Sequence, residues 1–273
     1  MPLSQLEKAQ RFATLHQGPG AFVIANAWDG ASSRLLESLG FPALATSSGA
    51  AAAVLGRRDG RIRREEALAQ AGVMVEATEL PVAADLENGF GDAPEAVAET
   101  IRLAAEAGLV GGSIEDSSGD PAQPIYDFAH AVERVEAAVE AARALPFPFL
   151  LTARSENFLR GNPDLDDTLR RLQAFEQAGA DVLFAPALPD LEAVRRVCAS
   201  LAKPVNFMAG IPGKSFTVAE LEAAGVRRVS LATSLYRAAL GGLLEAAQEV
   251  RATGTFTYLG KAFPSAELAR LLS

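Results

Sequence analysis

Three acidic residues open the functional reading: Asp85 and Glu87, two positions apart, and Glu115 in the sequence SIED. Each falls at the end of a short apolar run of strand length. On a strand, residues two apart project to the same side, so Asp85 and Glu87 are expected to face together. Glu115 would join them if its strand lies alongside. Converging carboxylates repel one another unless a cation sits between them. A ligand set made only of oxygens, with no His or Cys, suits a hard ion such as Mg²⁺, with Mn²⁺ as an alternative. The competing reading is that these acids cap helices or pair with arginines.

Arg154 ends the next apolar run. Its planar guanidinium is suited to clamp a carboxylate or polarise an oxo group, or else to form a salt bridge to Glu115 or Glu87. Ser47, Ser48 and Gly49 close an earlier run and offer hydroxyls and backbone N–H groups as an anion nest. Trp28, the only tryptophan, is expected either to wall a small pocket or to join the core. Asn206 lies within the seventh run. His16 and His130 fall in helical stretches away from these positions and read as surface residues. Cys198 reads as a small packing residue.

The elements that must position these residues are legible as an alternation. Eight apolar runs cover 21–28, 43–49, 81–87, 109–116, 147–156, 181–187, 204–210 and 228–234. Near-continuous apolar character suits strands buried on both faces of a parallel sheet. Helical stretches separate them, and an extra helix is expected before the first run (3–16) and after the last helix (264–272). Gly40, Gly108, Gly179 and Gly225 stand where helices should stop. Eight strand–helix units in 273 residues predict a (β/α)₈ barrel forming one domain over 1–273. A doubly wound sheet would want a glycine-rich phosphate turn after the first strand, and NAWDGASS lacks that spacing. In such barrels active sites lie at the carboxyl ends of the strands, where the acids, Arg154 and the Ser47–Gly49 turn fall.

Composition narrows the partners. The net charge of −9 and the lack of a basic run argue against nucleic acid and anionic membranes. A single cysteine excludes an internal disulfide and fits a reducing compartment. The first residues lack a signal-peptide pattern and no stretch suits a membrane span, so a cytoplasmic protein is expected.

Several segments together resemble one family. ADLENGFG (84–91), SIED (113–116), TARSE (152–156), IANAWDGASSRLLESLGF (24–41) and LATSLYRAA (231–239) are similar to the isocitrate lyase/phosphoenolpyruvate (PEP) mutase superfamily, especially its smaller members. The resemblance spans nearly the whole chain. It implies a (β/α)₈ barrel whose eighth helix is swapped between subunits, giving homodimers or homotetramers. It implies that Asp85 is a metal ligand and that Glu87 and Glu115 hold its waters. Many members carry Asp where Glu87 stands. It also implies that Ser47, Ser48 and Gly49 bind a substrate carboxylate, that Arg154 contacts the oxo-acid end, that Asp59 sits on a mobile loop near the reacting carbon, and that Asn206 is a polar substrate contact.

One departure is informative. The superfamily's C–C lyases carry a Lys/Cys/His loop after the fourth strand, and its phosphonate enzymes carry a Lys-Thr-Asn type sequence. Here the loop reads EDSSGDPAQPIYDF (115–128), with neither. The expected function is therefore a Mg²⁺-dependent enzyme acting on a small 2-oxo acid of the oxaloacetate kind, cleaving a C–C bond or releasing CO₂ through an enolate. Asp59, Ser47 or Ser48, or a metal-bound water would carry protons. The alternatives are C–P chemistry on PEP or phosphonopyruvate, and a 2-oxo-acid-binding barrel with little catalysis. A phosphosugar barrel would want glycine-rich turns after strands seven and eight, which are absent.

Overall fold

The computed structural model describes residues 2–273. The chain opens with helix α1 (Gln5–Gln17), then alternates β1 (Phe22–Asn26), α2 (Gly30–Ser38), β2 (Leu44–Ala45), α3 (Ser48–Val54), α4 (Arg64–Ala77) and β3 (Val82–Asp85). It continues through α5 (Pro94–Glu106), β4 (Gly111–Glu115), α6 (Phe128–Arg143), β5 (Leu150–Arg154), α7 (Leu165–Gln177) and β6 (Val182–Phe184). It ends with α8 (Leu191–Ala199), β7 (Val205–Met208), α9 (Val218–Ala223), β8 (Arg228–Ser230), α10 (Ser234–Thr253), a 3₁₀ turn (Thr257–Gly260) and α11 (Ser265–Leu272). The strands form a closed parallel barrel in sequence order, with β8 returning to β1. The fold is thus the (β/α)₈ barrel that the alternation predicts.

Local chemistry explains the element ends. Ser4 and Glu7 form a capping box on α1, and Asp29, Asp164 and Asp190 cap α2, α7 and α8 with their side chains. Gly40, Gly108, Gly179 and Gly225 all take positive φ, as helix stops should. The second run departs from its predicted shape. Only Leu44 and Ala45 pair as strand, and Ser48 and Gly49 form the first turn of α3. The reason is the alanine-rich segment that follows, since alanine is the strongest helix former.

The lower end of the barrel is plugged by α1. Phe12 and Ala9, both fully buried, pack with Ile24, Ala43, Ala83, Val110 and Leu150. His16 is part of this plug rather than a surface residue, with 6% exposure. Helical spacing from Phe12 brings it inward, and it stacks edge-to-face between Phe12 and Phe22 at 4.7 and 5.0 Å. His130, by contrast, is half-buried on α6, where it meets the Asp92 carbonyl.

Burial, and then the nearby Arg228, push the His16 pKa down to about 3. Between that value and the ordinary 6.5, the unfolded chain binds a proton that the folded chain refuses. Stability is therefore expected to fall as pH drops through that window, by at most about 1.4 kcal/mol per pH unit from this group. Melts of His16→Gln across pH 4–7 should show a flatter acid limb than the parent. An unchanged slope would assign the acid sensitivity to other groups.

The carboxyl-terminal helices stand apart. No residue of α10 is buried, and Leu240, Leu243 and Leu244 are exposed. Its main packing is against the 3₁₀ turn, while α11 lies on α2. By sequence order α10 is the eighth barrel helix, yet only its first turn, through Leu235 and Tyr236, packs on the barrel. Among the described residues no helix is long and apolar enough to cross a membrane.

Candidate active site

The carboxyl ends of the strands surround a cavity of about 290 Å³ that runs from the mouth into the barrel. A wider, more open cleft of about 950 Å³ adjoins it and shares Ser48, Asp59, Arg154 and Leu159. Asp85 ends β3 and lines the smaller cavity. Its backbone N–H donates to Thr46 Oγ1 at 2.9 Å. Its carboxylate accepts from Ser48 N at 3.2 Å, Glu87 N at 3.3 Å and Arg154 Nη1 at 3.1 Å.

Glu87 does not continue the strand. β3 stops at Asp85, and Glu87 takes a left-handed backbone with φ +50°. The same-side alternation expected of Asp85 and Glu87 does not hold there, because alternation requires extended backbone. The turn is fixed instead by a bond from Glu115 N to the Glu87 carbonyl at 2.9 Å. Glu87 still reaches the wider cleft. Burial and the nearby Asp85 and Asp59 raise its pKa to about 7, and its Oε1 is buried with no partner.

Arg154 ends β5, is 9% exposed, and is held by three carboxylates. These are Asp85 at 3.1 Å, Glu115 at 3.1 Å and Glu156 at 2.7 Å. Burial opposes its charge, but these acids outweigh burial and keep the guanidinium protonated. Its fork also lies over the Phe184 ring at 5.0 Å. Glu115 is buried between Arg154 and Arg160, with Arg160 Nη2 at 3.0 Å. Burial, then the repulsion of Glu156, pushes its pKa up to about 8.

Glu156 and Arg160 belong to the site, although neither stood among the candidates. Two signals pointed to them: Glu156 follows Arg154 by two, and Arg160 follows Glu156 by one helical turn, at 3.4 Å.

The remaining candidates divide. Ser47 and Ser48 line the cavity at the start of α3, where backbone N–H groups lack helical acceptors. Gly49 sits where the start of α3 approaches Thr233, the cap of α10. A Cβ there would lie 2.9 Å from Thr233 Cγ2 and 3.4 Å from Asp59 Oδ2. That contact also places Asp59, carried by the exposed segment after α3, at the cavity edge. Asn206 is 2% exposed and lines the deep part. Trp28 is not among the lining residues. It packs edge-to-face on Tyr236 of α10 at 5.4 Å, because its strand has already turned toward α2. The loop after β4 folds back on itself through a Ser117–Ile125 bridge and presents only Ser117, Ser118 and Gly119 to the wider cleft.

Among the described residues no three acid, His or Cys side chains form a ready ligand cage, since Arg154 separates Asp85 from Glu115. The all-oxygen set does fit an ion that keeps most of its waters and takes one or two carboxylates directly. Asp85 would be the direct ligand. Glu87, with its unpartnered buried oxygen, and Glu115 would hold waters.

Comparison with known proteins agrees with this architecture. The phosphoenolpyruvate phosphomutase family model matches residues 12–251. A crystal structure from Burkholderia cenocepacia J2315, provisionally described as a lyase/mutase, superposes with TM-score 0.96 at 53% identity, covering 97% of this chain and 96% of that one. The oxaloacetate decarboxylase of Paraburkholderia xenovorans (strain LB400) is 33% identical, covering 86% of this chain and 79% of that protein. The 2-methylisocitrate lyase of Halalkalibacterium halodurans is 29% identical over 93% of this chain and 85% of its own. The chain therefore belongs to the phosphoenolpyruvate phosphomutase family and is an enzyme of the isocitrate lyase/PEP mutase superfamily.

Proposed function

We propose that this enzyme is a divalent-cation-dependent lyase acting on a small 2-oxo dicarboxylate of the oxaloacetate kind, breaking a C–C bond or releasing CO₂. The observation that carries this reading is the meeting of Asp85, Arg154 and the start of α3 at one cavity mouth. Together they offer an anionic cation-binding oxygen, a fixed guanidinium and the Ser47 and Ser48 hydroxyls within one small volume. A bound Mg²⁺ or Mn²⁺ would supply Lewis-acid stabilisation of the enolate charge that develops as the bond breaks.

The chain's own residues do the rest. The N–H groups and hydroxyls of Ser47 and Ser48 bind the carboxylate next to the oxo carbon. Arg154, fixed by Asp85, Glu115 and Glu156, orients the oxo-acid end without having to move. In decarboxylation the electron pair of the broken bond stays with the oxo-acid fragment, whose carbon must then take a proton; in hydrolytic cleavage water adds to the oxo carbon and the pair leaves with the acetate carbon, which takes the proton. Asp59, at the cavity edge, is the proposed carrier, because the part of the loop after β4 that faces the cleft, Ser117–Gly119, offers no acid or base. The relatives named as a decarboxylase and a lyase support this class of reaction.

The test is incubation of the purified enzyme with Mg²⁺ and oxaloacetate, following pyruvate against acetate plus oxalate. Pyruvate alone indicates decarboxylation, and acetate plus oxalate indicates hydrolytic cleavage. Lack of turnover on every 2-oxo and 2-hydroxy dicarboxylate tried would sink the proposal.

We also propose that α10 packs on a second copy of the chain, forming a homodimer or homotetramer. Leu243 and Leu244, 64% and 57% exposed, are the clearest apolar positions awaiting cover. Light scattering should give a mass of at least two chains. Leu243→Glu combined with Leu244→Glu should shift it to one, and a monomeric parent would refute the idea.

A further inference from the structure

The barrel interior contains a second guanidinium, and no carboxylate answers it. Arg228 opens β8, faces inward and is 6% exposed. Its Nε donates to Asn206 Oδ1 at 2.8 Å and its Nη2 to Thr152 Oγ1 at 2.9 Å. Its Nη1 lies 3.3 Å from His16 Nε2. His16 Nδ1 sits 2.8 Å from the Phe12 carbonyl, which places the ring proton on Nδ1 and leaves Nε2 as an acceptor. All three partners are therefore neutral. Burial alone acts on Arg228, lowering its pKa to about 9, so it stays cationic at neutral pH.

Other buried arginines in this protein are answered. Arg154 has three carboxylates, and Arg171 has Asp116 and Asp167. Arg134 has the backbone carbonyls of Asn88, Gly91 and Asp92. A guanidinium carries five N–H groups. Three of Arg228's are engaged, so two have no acceptor among the described residues. An isolated buried charge is costly unless something compensates it.

The cavity supplies the place for that compensation. Arg228, Asn206, Thr152 and Ser230 line the same space as Ser48, Asp85 and Arg154. Barrel interiors are ordinarily filled by bulky branched side chains. Here the small inward-facing Ala45 and Ala83 leave the shaft open down to Arg228. Thr152 and Arg154 are two apart on β5 and both face in, which sets them about 6.6 Å apart along the strand. The Arg228 fork, bonded to Thr152, thus lies about one layer of side chains below Arg154. That drop is close to the span of a short dicarboxylate.

We propose that Arg228, with Asn206 and Ser230, binds the second carboxylate of the substrate at the floor of the shaft. The mouth end is held by Arg154 and the start of α3. Assigning the anion as part of the substrate rests on the reading of the mouth as a 2-oxo-acid site; the deep carboxylate site itself does not. Arg228 would make the enzyme select dicarboxylates over monocarboxylates.

Two probes without an oxo group separate these claims. Calorimetric titration of the parent with succinate and with propionate should favour succinate by about tenfold or more, the charge-assisted fork being the added contact. In Arg228→Met the ratio should collapse to about unity while propionate binding is unchanged. Because that variant risks misfolding, a second measurement uses the unaltered protein. Crystals soaked in bromide should show an anomalous peak within hydrogen-bond distance of Arg228. No bromide peak, or a folded Arg228→Met variant that still prefers succinate, overturns the proposal. If succinate and bromide settle at Arg228 but no 2-oxo dicarboxylate is turned over, the deep site stands and only the reaction assignment falls.

Discussion

Replacing Arg154 by methionine is expected to abolish most turnover and to weaken the fold in a pH-dependent way. Among the described residues the guanidinium is the only cation touching Asp85, and it also touches Glu115 and the fully buried Glu156. Removing it leaves three carboxylates facing one another in a low-dielectric site, with Arg160 alone still near Glu115 and Glu156. Breaking one partner out of a buried ion pair typically costs about 3–5 kcal/mol. The freed acids can escape that cost by taking up protons, so their folded-state pKa values rise in the variant. Acids with raised folded-state values stabilise the fold below their unfolded value and lose that contribution as pH climbs. Thermal or urea melts of Arg154→Met should therefore sit further below the parent at pH 8 than at pH 5. The opposite ordering would mean that Arg154 is not the charge holding these acids. Loss of a fixed donor at the oxo end should lower kcat/KM by about 10²–10³-fold. Arg154→Lys should recover part of the stability but little of the rate, since an ammonium cannot reproduce the fork.

Asp85→Asn is the second large effect. It keeps size and one oxygen but removes the negative charge proposed to bind the cation directly. For the parent, stripping with chelator should abolish activity, and Mg²⁺ or Mn²⁺ should restore it. Saturating cation should also raise the melting point, by an amount equivalent to about 2.7 kcal/mol at one hundred times the dissociation constant. Asp85→Asn should lose both the activity and the shift in melting point. Glu87→Gln and Glu115→Gln, placed to hold waters, should weaken cation affinity by about 10–100-fold while keeping the response. A full cation response in Asp85→Asn would move the binding site elsewhere.

A gradation of this kind could be anticipated only in part from the chain. The apolar runs placed Asp85, Glu115 and Arg154 at strand ends, and all three lie at the mouth of one cleft. The same reasoning failed at Glu87, where extended geometry was carried two residues too far. It also misplaced His16, since a lone His in a helical stretch says nothing about which face the helix buries. At Trp28 the sequence left a pocket wall and a core position equally open, and in the fold the ring packs on Tyr236 of α10.

The three acids and Arg154 thus mark the boundary between what the chain determines and what the fold decides. Sequence by itself determined the barrel, because eight repeats of strand and helix leave few ways to bury every apolar face. It also determined which ends of the strands carry polar groups, since alternation is a local property. Only the tertiary structure decided how those groups pair. Arg154 is clamped by side chains from β3, β4 and its own strand's end. Arg228 meets partners on α1, β5 and β7. Such meetings depend on how the strands are staggered as the barrel closes. That stagger is set by packing summed over the whole barrel, and no local stretch of sequence records it.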